Sequence, residues 1–207
     1  MDSRLHGNGD KVENPTRKEQ ILKTAAKLFR QKGFEAASMR DIAGDLGIEA
    51  ASLYSHIKSK DELLETICFR MADELLKAID EVNDMYFNAE EKLNSAIKNH
   101  VKIVTGDLDS SSVFIREWRR LPKEKLPEFI KLRNKYEDGF RQILVNGENE
   151  NVFEAPDKKF AVLTILSAVN WITEWYSPKG NMTPEEIAEH LSSFILTGLR
   201  VKSIVDR

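Results

Sequence analysis

Two very short helical patterns separated by one glycine constrain the fold of this chain more than any other feature of its sequence. In SMRDIAGDLGIEAASLYSHI, Ser38 is suited to cap the first pattern, and Gly47 is suited to end it after about two turns. The second pattern, EAASLYSHI, begins only a few residues later. Two short helices joined by a Gly-containing turn predict a helix-turn-helix, a motif whose second helix fits the major groove of DNA.

The rest of the sequence also follows helical periods, and no alternating pattern bounded by turn residues predicts a strand. A capping box at Thr16 and Glu19 predicts the start of an opening helix, and Gly33 is expected to end it in the left-handed conformation. Ser59 and Glu62 form a second capping-box pair at the start of a long helix. We predict the helices beyond residue 59 at about 60–85, 90–105, 110–121, 124–146, 157–177 and 184–203. The sequence therefore predicts an all-α protein of about nine helices.

Composition limits the class of protein. A hydrophobic fraction of 41% with 31% charged residues is typical of a globular protein. The chain has no apolar run long enough to cross a membrane, and its first residues lack the apolar stretch of a signal peptide. The only cysteine, Cys68, excludes an internal disulfide framework and is expected to be a small buried side chain. We therefore expect a cytoplasmic protein without a membrane segment.

The net charge of −3 is unevenly distributed along the sequence. Residues 1–60 carry 11 Lys and Arg against 8 Asp and Glu, whereas residues 61–207 carry 20 against 26. This split indicates a basic module joined to an acidic body, which is compatible with contact between the first module and nucleic acid.

Between Arg17 and Leu64 the sequence resembles the TetR family of transcriptional repressors. The resemblance lies in a Gly-aromatic pair after the first helix, IA..LG in the second, LY.H in the third and K..LL at the start of the fourth. It implies a flexible leader at residues 1–14, a helix-turn-helix DNA-binding domain at 15–60, and a helical ligand-binding and dimerisation domain at 61–207. The implied partner is double-stranded operator DNA.

The resemblance assigns phosphate contacts to Tyr54, His56 and Lys60, whose side chains are all able to donate hydrogen bonds to phosphate oxygens. Ser38 begins a helix, and the free amides at a helix N-terminus attract a phosphate. The alternative is structural: Tyr54 would pack against the first helix, and His56 would cap a helix end. The full set of predicted DNA-binding residues is Arg17, Ser38, Met39, Arg40, Ala50, Ala51, Ser52, Tyr54, Ser55, His56 and Lys60.

Base reading is less clearly indicated by the sequence. Glu49 stands at the start of the third helix, where we expect it to cap the helix, although acceptance of a hydrogen bond from cytosine and a weakening of nonspecific DNA binding both stay open. Arg17 and Lys18 are assigned to a flexible basic leader that could reach the DNA backbone or minor groove. A solvated basic end is the alternative for this pair.

Residues 113–199 resemble the ligand domain of the TetR branch that controls fatty-acid and steroid catabolism and is relieved by acyl-coenzyme A thioesters. The phrases EWRRLP, NWITEW and SPKG carry this resemblance, whereas the loop NGENENVF lacks the second glycine common in that branch. The resemblance implies a hydrophobic effector, an acyl-CoA, and no cofactor. The predicted ligand-binding residues are Phe114, Trp118, Arg119, Arg133, Tyr136, Phe140, Leu166, Asn170 and Trp171.

Chemistry is compatible with this effector. An acyl-CoA needs an apolar channel for its tail and basic or stacking groups for its nucleotide and phosphates. Arg116 and Arg120 are further candidates for the phosphates. The alternatives are that the aromatic residues form an ordinary core and that the arginines pair with glutamates on the surface.

The last two predicted helices are apolar around much of their circumference, which one subunit has difficulty covering. The resemblance implies that they form a four-helix bundle with the same pair in a second subunit, giving a homodimer with its two recognition helices about one DNA turn apart. An internal core in a monomer is the alternative. Ligand binding is expected to change the spacing of the two DNA-reading helices through the helix that begins at Ser59.

Three other functions compete with this interpretation. A small helical enzyme is disfavoured because the four histidines, His6, His56, His100 and His190, are not at metal-binding spacing and no Gly-rich phosphate loop exists. A TetR-like repressor of an efflux pump, induced by a drug or another hydrophobic compound, stays open. So does a DNA-organising protein without a small ligand.

Overall fold

The computed structural model describes residues 15–201. The leader predicted at 1–14, which contains His6, and the final residues 202–207 lie outside this range. All regular elements within residues 15–201 are helices, and the single β contact found there is an antiparallel bridge between Phe153 and Arg200. The prediction of an all-α fold is confirmed.

The first three helices form the predicted helix-turn-helix region: α1 (Arg17–Lys32), α2 (Met39–Asp45) and α3 (Ala50–Tyr54). The capping box of Thr16 and Glu19 is present, with hydrogen bonds in both directions between side chain and backbone. Gly33 ends α1 at a φ of 82°, but its ψ of 154° lies outside the left-handed helical region that we expected. Positive φ at this position still favours glycine.

The turn between α2 and α3 is a Schellman motif. The amide of Ile48 donates to the carbonyl of Ala43 at 3.0 Å, and the amide of Gly47 donates to the carbonyl of Gly44 at 3.1 Å. Gly47 has a φ of 64°, which a residue with a Cβ adopts only with strain. This glycine therefore sets the angle at which α3 leaves α2.

Seven α-helices and one 3-10 turn complete the described chain: α4 (Lys60–Asp84), α5 (Ala89–Gly106), α6 (Leu108–Glu117), the 3-10 turn (Trp118–Arg120), α7 (Leu126–Asn149), α8 (Lys158–Asn170), α9 (Ile172–Trp175) and α10 (Pro184–Leu199). Because α9 is a single turn that directly continues α8, the arrangement agrees with the predicted number of about nine helices. The last helix stops at Leu199, earlier than predicted. Arg200 is extended, and the Leu199 carbonyl accepts from the Glu154 amide at 2.7 Å.

The start of α4 differs from its prediction in one respect. Ser59 caps α4 by accepting from the amide of Glu62 at 3.1 Å. The Glu62 carboxylate, however, accepts from the amide of Lys58 at 2.8 Å instead of that of Ser59. The predicted capping box is therefore only half formed.

Two hydrophobic clusters share α4. The cluster near the helix-turn-helix contains Phe29, Leu53 and Leu63, and it includes the first half of α4. The other cluster, which includes Ile79 from the second half of α4, packs against α5, α7, α8 and α10. A displacement of α4 therefore affects both clusters, because interiors packed at this density transmit movement.

Close packing of α7 on α4 depends on Gly139. A Cβ atom at this position would lie 2.6 Å from Cγ1 of Ile79, closer than two carbon atoms can approach. The side-chain amide of Asn83 donates to the Gly139 carbonyl at 3.3 Å. These contacts position α7, and with it the residues of the cavity described below.

Candidate DNA-binding surface and interior cavity

The exposed face of α3 carries most of the predicted base-proximal residues. Leu53 and Ile57 point into the core, with exposed fractions of 0% and 1%. The residues predicted to contact DNA that are exposed in and after α3 are Ala51, Ser52, Tyr54, Ser55 and His56. Ala50 is half-buried. Tyr54 is 52% exposed, so much of its side chain is accessible for a contact with DNA.

The N-terminus of α2 already holds a negative charge. Asp41 accepts hydrogen bonds from the hydroxyl and the amide of Ser38, and it forms a 3.0 Å ion pair with Lys32. These interactions, led by the bond from the Ser38 side chain, lower the pKa of Asp41 to about 2. A carboxylate at this helix terminus opposes the approach of a phosphate, which weakens the role predicted for Ser38.

Met39 and Arg40 follow Ser38 but face in different directions. Met39 is buried in the cluster around α1, so its side chain cannot contact DNA in this conformation. The DNA contact predicted for Met39 is therefore wrong for its side chain, and only its backbone amide stays a candidate for contacting DNA. Arg40 is exposed, as a phosphate or base contact requires.

Lys60 has a structural role that the sequence did not reveal. Its ammonium donates hydrogen bonds to the carbonyls of Phe34 at 2.8 Å, Ala37 at 3.0 Å and Glu35 at 3.1 Å. An ammonium has three N–H donors, and all three are used. The phosphate contact predicted for Lys60 is therefore corrected: the side chain ties the start of α4 to the segment between α1 and α2.

Two further expectations about charged residues are wrong. Glu49 occupies the N-cap position of α3, but its side chain makes no capping hydrogen bond and is exposed. Shorter side chains such as Ser and Asp are the ones that reach the free amides of the first turn. Arg17 is the first residue of α1, where it donates to Gln20 at 2.9 Å, and Lys18 follows it in the same helix. Neither residue belongs to a flexible leader.

An interior cavity of about 30 Å³ lies between α4, α5, α6, α7 and α8. Five of the predicted ligand-binding residues line it, and five others do so without having been predicted. The predicted ones are Phe114, Arg133, Tyr136, Leu166 and Asn170, and the others are Ala72, Leu75, His100, Leu132 and Glu137. The walls are mostly apolar, with a few polar groups, as in small-molecule sites. Ala72 and Leu75 belong to α4, so the cavity borders the helix that connects both clusters.

Four predicted ligand-binding residues do not line the cavity: Trp118, Arg119, Phe140 and Trp171. Phe140 is fully buried and packs edge-to-face against Tyr136, with ring centres 5.4 Å apart, so it belongs to the core behind the cavity wall. Trp171 is 65% exposed on the outside of the helical body. Trp171 therefore lies on the outer surface, and its predicted place in the ligand site is wrong.

A polar pair stands in the cavity wall, in which His100 is buried and Tyr136 is half-buried. Nδ1 of His100 and the hydroxyl of Tyr136 are 2.8 Å apart, while Nε2 of His100 is buried and makes no hydrogen bond. Burial lowers the pKa of His100 to about 4, a shift that the Asn170 side chain partly opposes, and burial raises the pKa of Tyr136. Both groups are therefore neutral near pH 7. Sequence reasoning missed His100 because a single histidine within a helix has no motif to mark it.

The four arginines proposed for phosphate binding divide into two pairs. Arg116 forms an ion pair with Glu174, and Arg120 pairs with both Glu35 and Glu117. The other two stack on one ring: the guanidinium carbons of Arg119 and Arg133 lie 4.4 and 4.8 Å from the centre of the Trp118 ring. Among the described residues, no carboxylate forms an ion pair with either of these two. Burial lowers the pKa of Arg133.

The outer face of α8, α9 and α10 is apolar and exposed. Phe194 is 80% exposed, Phe160 is 69% exposed and Trp171 is 65% exposed, and Leu163 and Trp175 extend this face. Side chains at 160, 163 and 171 follow helical spacing along one side of α8. Exposed apolar patches of this kind are typical of surfaces that interact with another molecule.

Metal-binding and membrane-spanning features are not found in the described part of the chain. Within residues 15–201, no group of three or more His, Cys, Asp and Glu side chains is arranged to hold a metal ion. None of the helices described there is both long enough and apolar enough to span a membrane. Cys68 is buried, as expected, and burial raises the pKa of its thiol to about 12.

Comparisons with known proteins match both parts of the chain to regulatory families. Residues 21–67 match bacterial regulatory proteins of the tetR family, and residues 87–199 match a tetracyclin repressor-like C-terminal domain. The chain is 25% identical over 186 residues to the HTH-type transcriptional repressor KstR2 of Mycolicibacterium smegmatis, a match that covers 89% of this chain and 91% of that protein.

Two solved structures have a similar fold over nearly their whole length. One is PfmR, a TetR family transcriptional regulator from Thermus thermophilus, with a TM-score of 0.79, 32% identity and coverage of 87% of this chain and 99% of that one. The other is AibR in complex with isovaleryl coenzyme A and operator DNA, with a TM-score of 0.77, 26% identity and coverage of 86% and 97%. Each of these relatives is named as a regulator or is bound to operator DNA.

Proposed function

Because this chain belongs to the TetR family of bacterial transcriptional regulators, we propose that it is a repressor that binds operator DNA as a homodimer and is released by an acyl-CoA. The observation that carries the ligand assignment is the pair of arginines stacked on Trp118, which lack carboxylate partners among the described residues, next to an apolar cavity. The regulated genes would be those of lipid degradation.

Contact with DNA is proposed through the exposed face of α3. Tyr54 and His56 offer donors to phosphate oxygens, while Ala51 and Ser52 are small enough to approach base edges. Arg40 in α2 provides an exposed positive charge. This set differs from the sequence-based one by the loss of Lys60, whose donors serve the protein itself, by the loss of the buried Met39 side chain, and by a weaker role for Ser38.

Dimerisation is proposed through α8 and α10. Phe160, Trp171 and Phe194 are the most exposed large apolar side chains of these helices and of the junction between α8 and α9. Covering them with the same face of a second subunit would remove apolar area from water, at about 25 cal/mol for each Å². A two-fold arrangement would also present two copies of α3 to successive turns of the operator.

The acyl-CoA assignment is supported by the difference between the arginines that form ion pairs and those that do not. Arg119 and Arg133 form no ion pair with a carboxylate of the described residues, although Glu137 lies near enough to Arg133 to raise its pKa, and guanidinium groups bind phosphate oxygens in a forked geometry. Arg133 also lines the cavity, so an anionic head group at this arginine pair is compatible with an acyl group inside the cavity. The similar protein AibR has been solved with isovaleryl coenzyme A.

The size of the cavity suggests how a ligand would act. A volume of about 30 Å³ has room for only a few water molecules, so an acyl chain would have to push its walls apart. Two of those walls are Ala72 and Leu75 of α4, and the first residue of α4, Lys60, holds the segment before α2. An acyl-CoA would therefore favour a conformation with α4 displaced and the two recognition helices moved apart, provided that it binds that conformation more tightly.

A fluorescence anisotropy titration on labelled DNA from upstream of the protein's own coding region tests this function. We expect acyl-CoA thioesters of increasing chain length to release the DNA, whereas free CoA and the corresponding free fatty acids would not. Release by a cationic drug, with every thioester inactive, would instead favour the efflux-pump repressor. Retention of the complex with all of these compounds would favour a DNA-organising protein.

A further inference from the structure

The His100 and Tyr136 pair leaves one hydrogen-bond donor without a partner, whichever tautomer the imidazole adopts. If the phenol donates to Nδ1, the imidazole proton is on Nε2, which is buried and has no partner in hydrogen-bonding geometry, although the Asn170 side chain lies near enough to raise the pKa of His100. If Nδ1 carries the proton and donates to the phenol oxygen, the phenol proton has no partner in the pair. Two protons are present and only one is used between the two groups.

An unpartnered donor in an apolar cavity is unfavourable, since a buried polar group without a hydrogen bond loses its interaction with water and gains nothing in return. His100 is 1% exposed, and both residues line the same cavity as Phe114 and Leu166. A ligand that fills this cavity without offering an acceptor oxygen would leave the donor unsatisfied.

We propose that His100 and Tyr136 determine ligand specificity by donating a hydrogen bond to an uncharged acceptor oxygen in the buried part of the ligand, the thioester carbonyl of an acyl-CoA. This inference rests on the proposed function, because it takes the acyl-CoA as the occupant of the cavity. The side-chain amide of Asn170, which lines the same cavity, is placed to contact the same oxygen.

Neutrality of the pair fits an uncharged acceptor. Burial keeps the pKa of His100 near 4, so the imidazole carries no charge near pH 7. A neutral N–H or O–H donor is suited to a carbonyl oxygen and gives no charge compensation to an anion. Anionic groups would be left to the guanidinium of Arg133 and its neighbour Arg119.

The inference is tested by a thermodynamic cycle in which the ligand and the protein are each changed and the binding affinities are compared. Binding of an acyl-CoA is compared with that of the S-alkyl-CoA thioether of equal chain length, which has a methylene in place of the carbonyl. We expect the wild-type protein to bind the thioester roughly tenfold more tightly, the factor that corresponds to one buried hydrogen bond. The double variant His100→Phe/Tyr136→Phe should bind both compounds equally. Both residues must be changed because each alone retains one proton.

The matched control is Ser111→Ala. Ser111 is a fully buried polar residue without a hydrogen-bond partner, as His100 Nε2 is, but it does not line the cavity. This variant should keep the preference for the thioester. Persistence of the preference in the double variant, or its loss in Ser111→Ala, would overturn the inference.

A second measurement does not depend on the folding of any variant. The imidazole nitrogen resonances of wild-type protein labelled with 15N-histidine should shift more with the thioester than with the thioether. Equal binding and equal shifts with the two compounds would exclude a donor role for the pair while leaving the acyl-CoA function intact. Binding of neither compound to wild-type protein would overturn the proposed ligand class and this inference together.

Discussion

The ammonium of Lys60 lies 4.5 Å from the centre of the Phe34 ring and donates a 2.8 Å hydrogen bond to the carbonyl of the same residue. Phe34 itself is buried against Phe29 of α1, with ring centres 5.1 Å apart. The first residue of α4 is thereby attached to the segment that leads into α2. A shift of α4 caused by a ligand would be passed to the helix-turn-helix through this contact as well as through the shared core.

Replacing Lys60 by Met should lower stability without changing the electrostatic part of DNA binding. The variant leaves three carbonyls without their charged donor, which we expect to lower the free energy of unfolding by about 1 to 2 kcal/mol. Because the ammonium is not directed at DNA, the slope of log K against log salt should stay as in wild type. Urea unfolding and DNA titrations at several salt concentrations measure both quantities.

The matched control for this variant is Lys58→Met, which removes the same charge from an exposed position two residues earlier. Stability should be unchanged in this case, since exposed substitutions usually have small effects. If Lys60→Met reduced the salt slope by about one phosphate contact and left stability intact, the structural role of Lys60 would be wrong.

Replacing Tyr54 by Phe should weaken binding to all DNA sequences alike. The change removes only the hydroxyl of a side chain that is 52% exposed, so the fold should not be affected. Loss of one phosphate contact is expected to reduce affinity roughly three- to tenfold on operator and nonspecific DNA. Anisotropy titrations on both DNAs, with the thermal midpoint as a folding check, measure the effect. An effect confined to the operator would indicate base reading instead.

Local sequence patterns predicted the helices well because their signals are local. Thr16 with Glu19 forms the capping box that its spacing indicates, and Gly47 ends α2 as predicted, with a positive φ. Each of these depends on residues within one helical turn. The family resemblance then supplied the order of the two domains.

Contacts between distant residues could not be predicted in the same way. Lys60 looks like a solvated cation in sequence, and only the fold brings it to carbonyls 23 to 26 residues earlier. His100 and Tyr136 are 36 residues apart and meet because α5 and α7 pack together. The aromatic character of Trp171 predicts a place in the ligand site, yet Trp171 lies on the outer face. Periodicity cannot distinguish these two positions in a helix that is apolar all round.

Replacing Arg119 or Arg133 by Gln should weaken acyl-CoA binding, whereas Arg116→Gln should not. The first two guanidiniums stack on Trp118 and form no ion pair among the described residues, so they stay available to phosphate oxygens. Losing one charge-assisted contact is expected to reduce affinity roughly tenfold. Arg116 already pairs with Glu174, which makes it a control of equal charge. Calorimetric titration of one acyl-CoA into each variant measures the difference, and equal losses in all three would contradict the assignment.

Replacing Phe194 by Glu should convert the protein to a monomer. Phe194 is 80% exposed in the single subunit, so a carboxylate there is tolerated by the monomer but would be buried unpaired at the proposed interface. Tyr86→Glu is the control, because Tyr86 is fully exposed in the loop between α4 and α5, away from α8 and α10. Light scattering after size exclusion should give half the wild-type mass for Phe194→Glu alone. A dimer that persists in this variant would place the interface elsewhere.

Stability should fall between about pH 6.5 and pH 4 because of His100. Its pKa is 6.5 in the unfolded chain and about 4 in the folded protein, so in this window the unfolded state binds the proton that the folded state excludes. The stabilisation from the neutral imidazole is fully present above the pKa of the unfolded chain. It is lost as the pH falls, which lowers the free energy of unfolding by about 3 kcal/mol in total. The pKa values of the Glu19, Asp41 and Glu186 carboxylates are lowered from ordinary values of 4.5 or less. These groups therefore affect stability only at a pH below those ordinary values. Urea unfolding at pH 7, 6 and 5 should therefore show the decline in wild type and not in His100→Phe, and equal slopes in the two proteins would show that His100 is not buried in its neutral form.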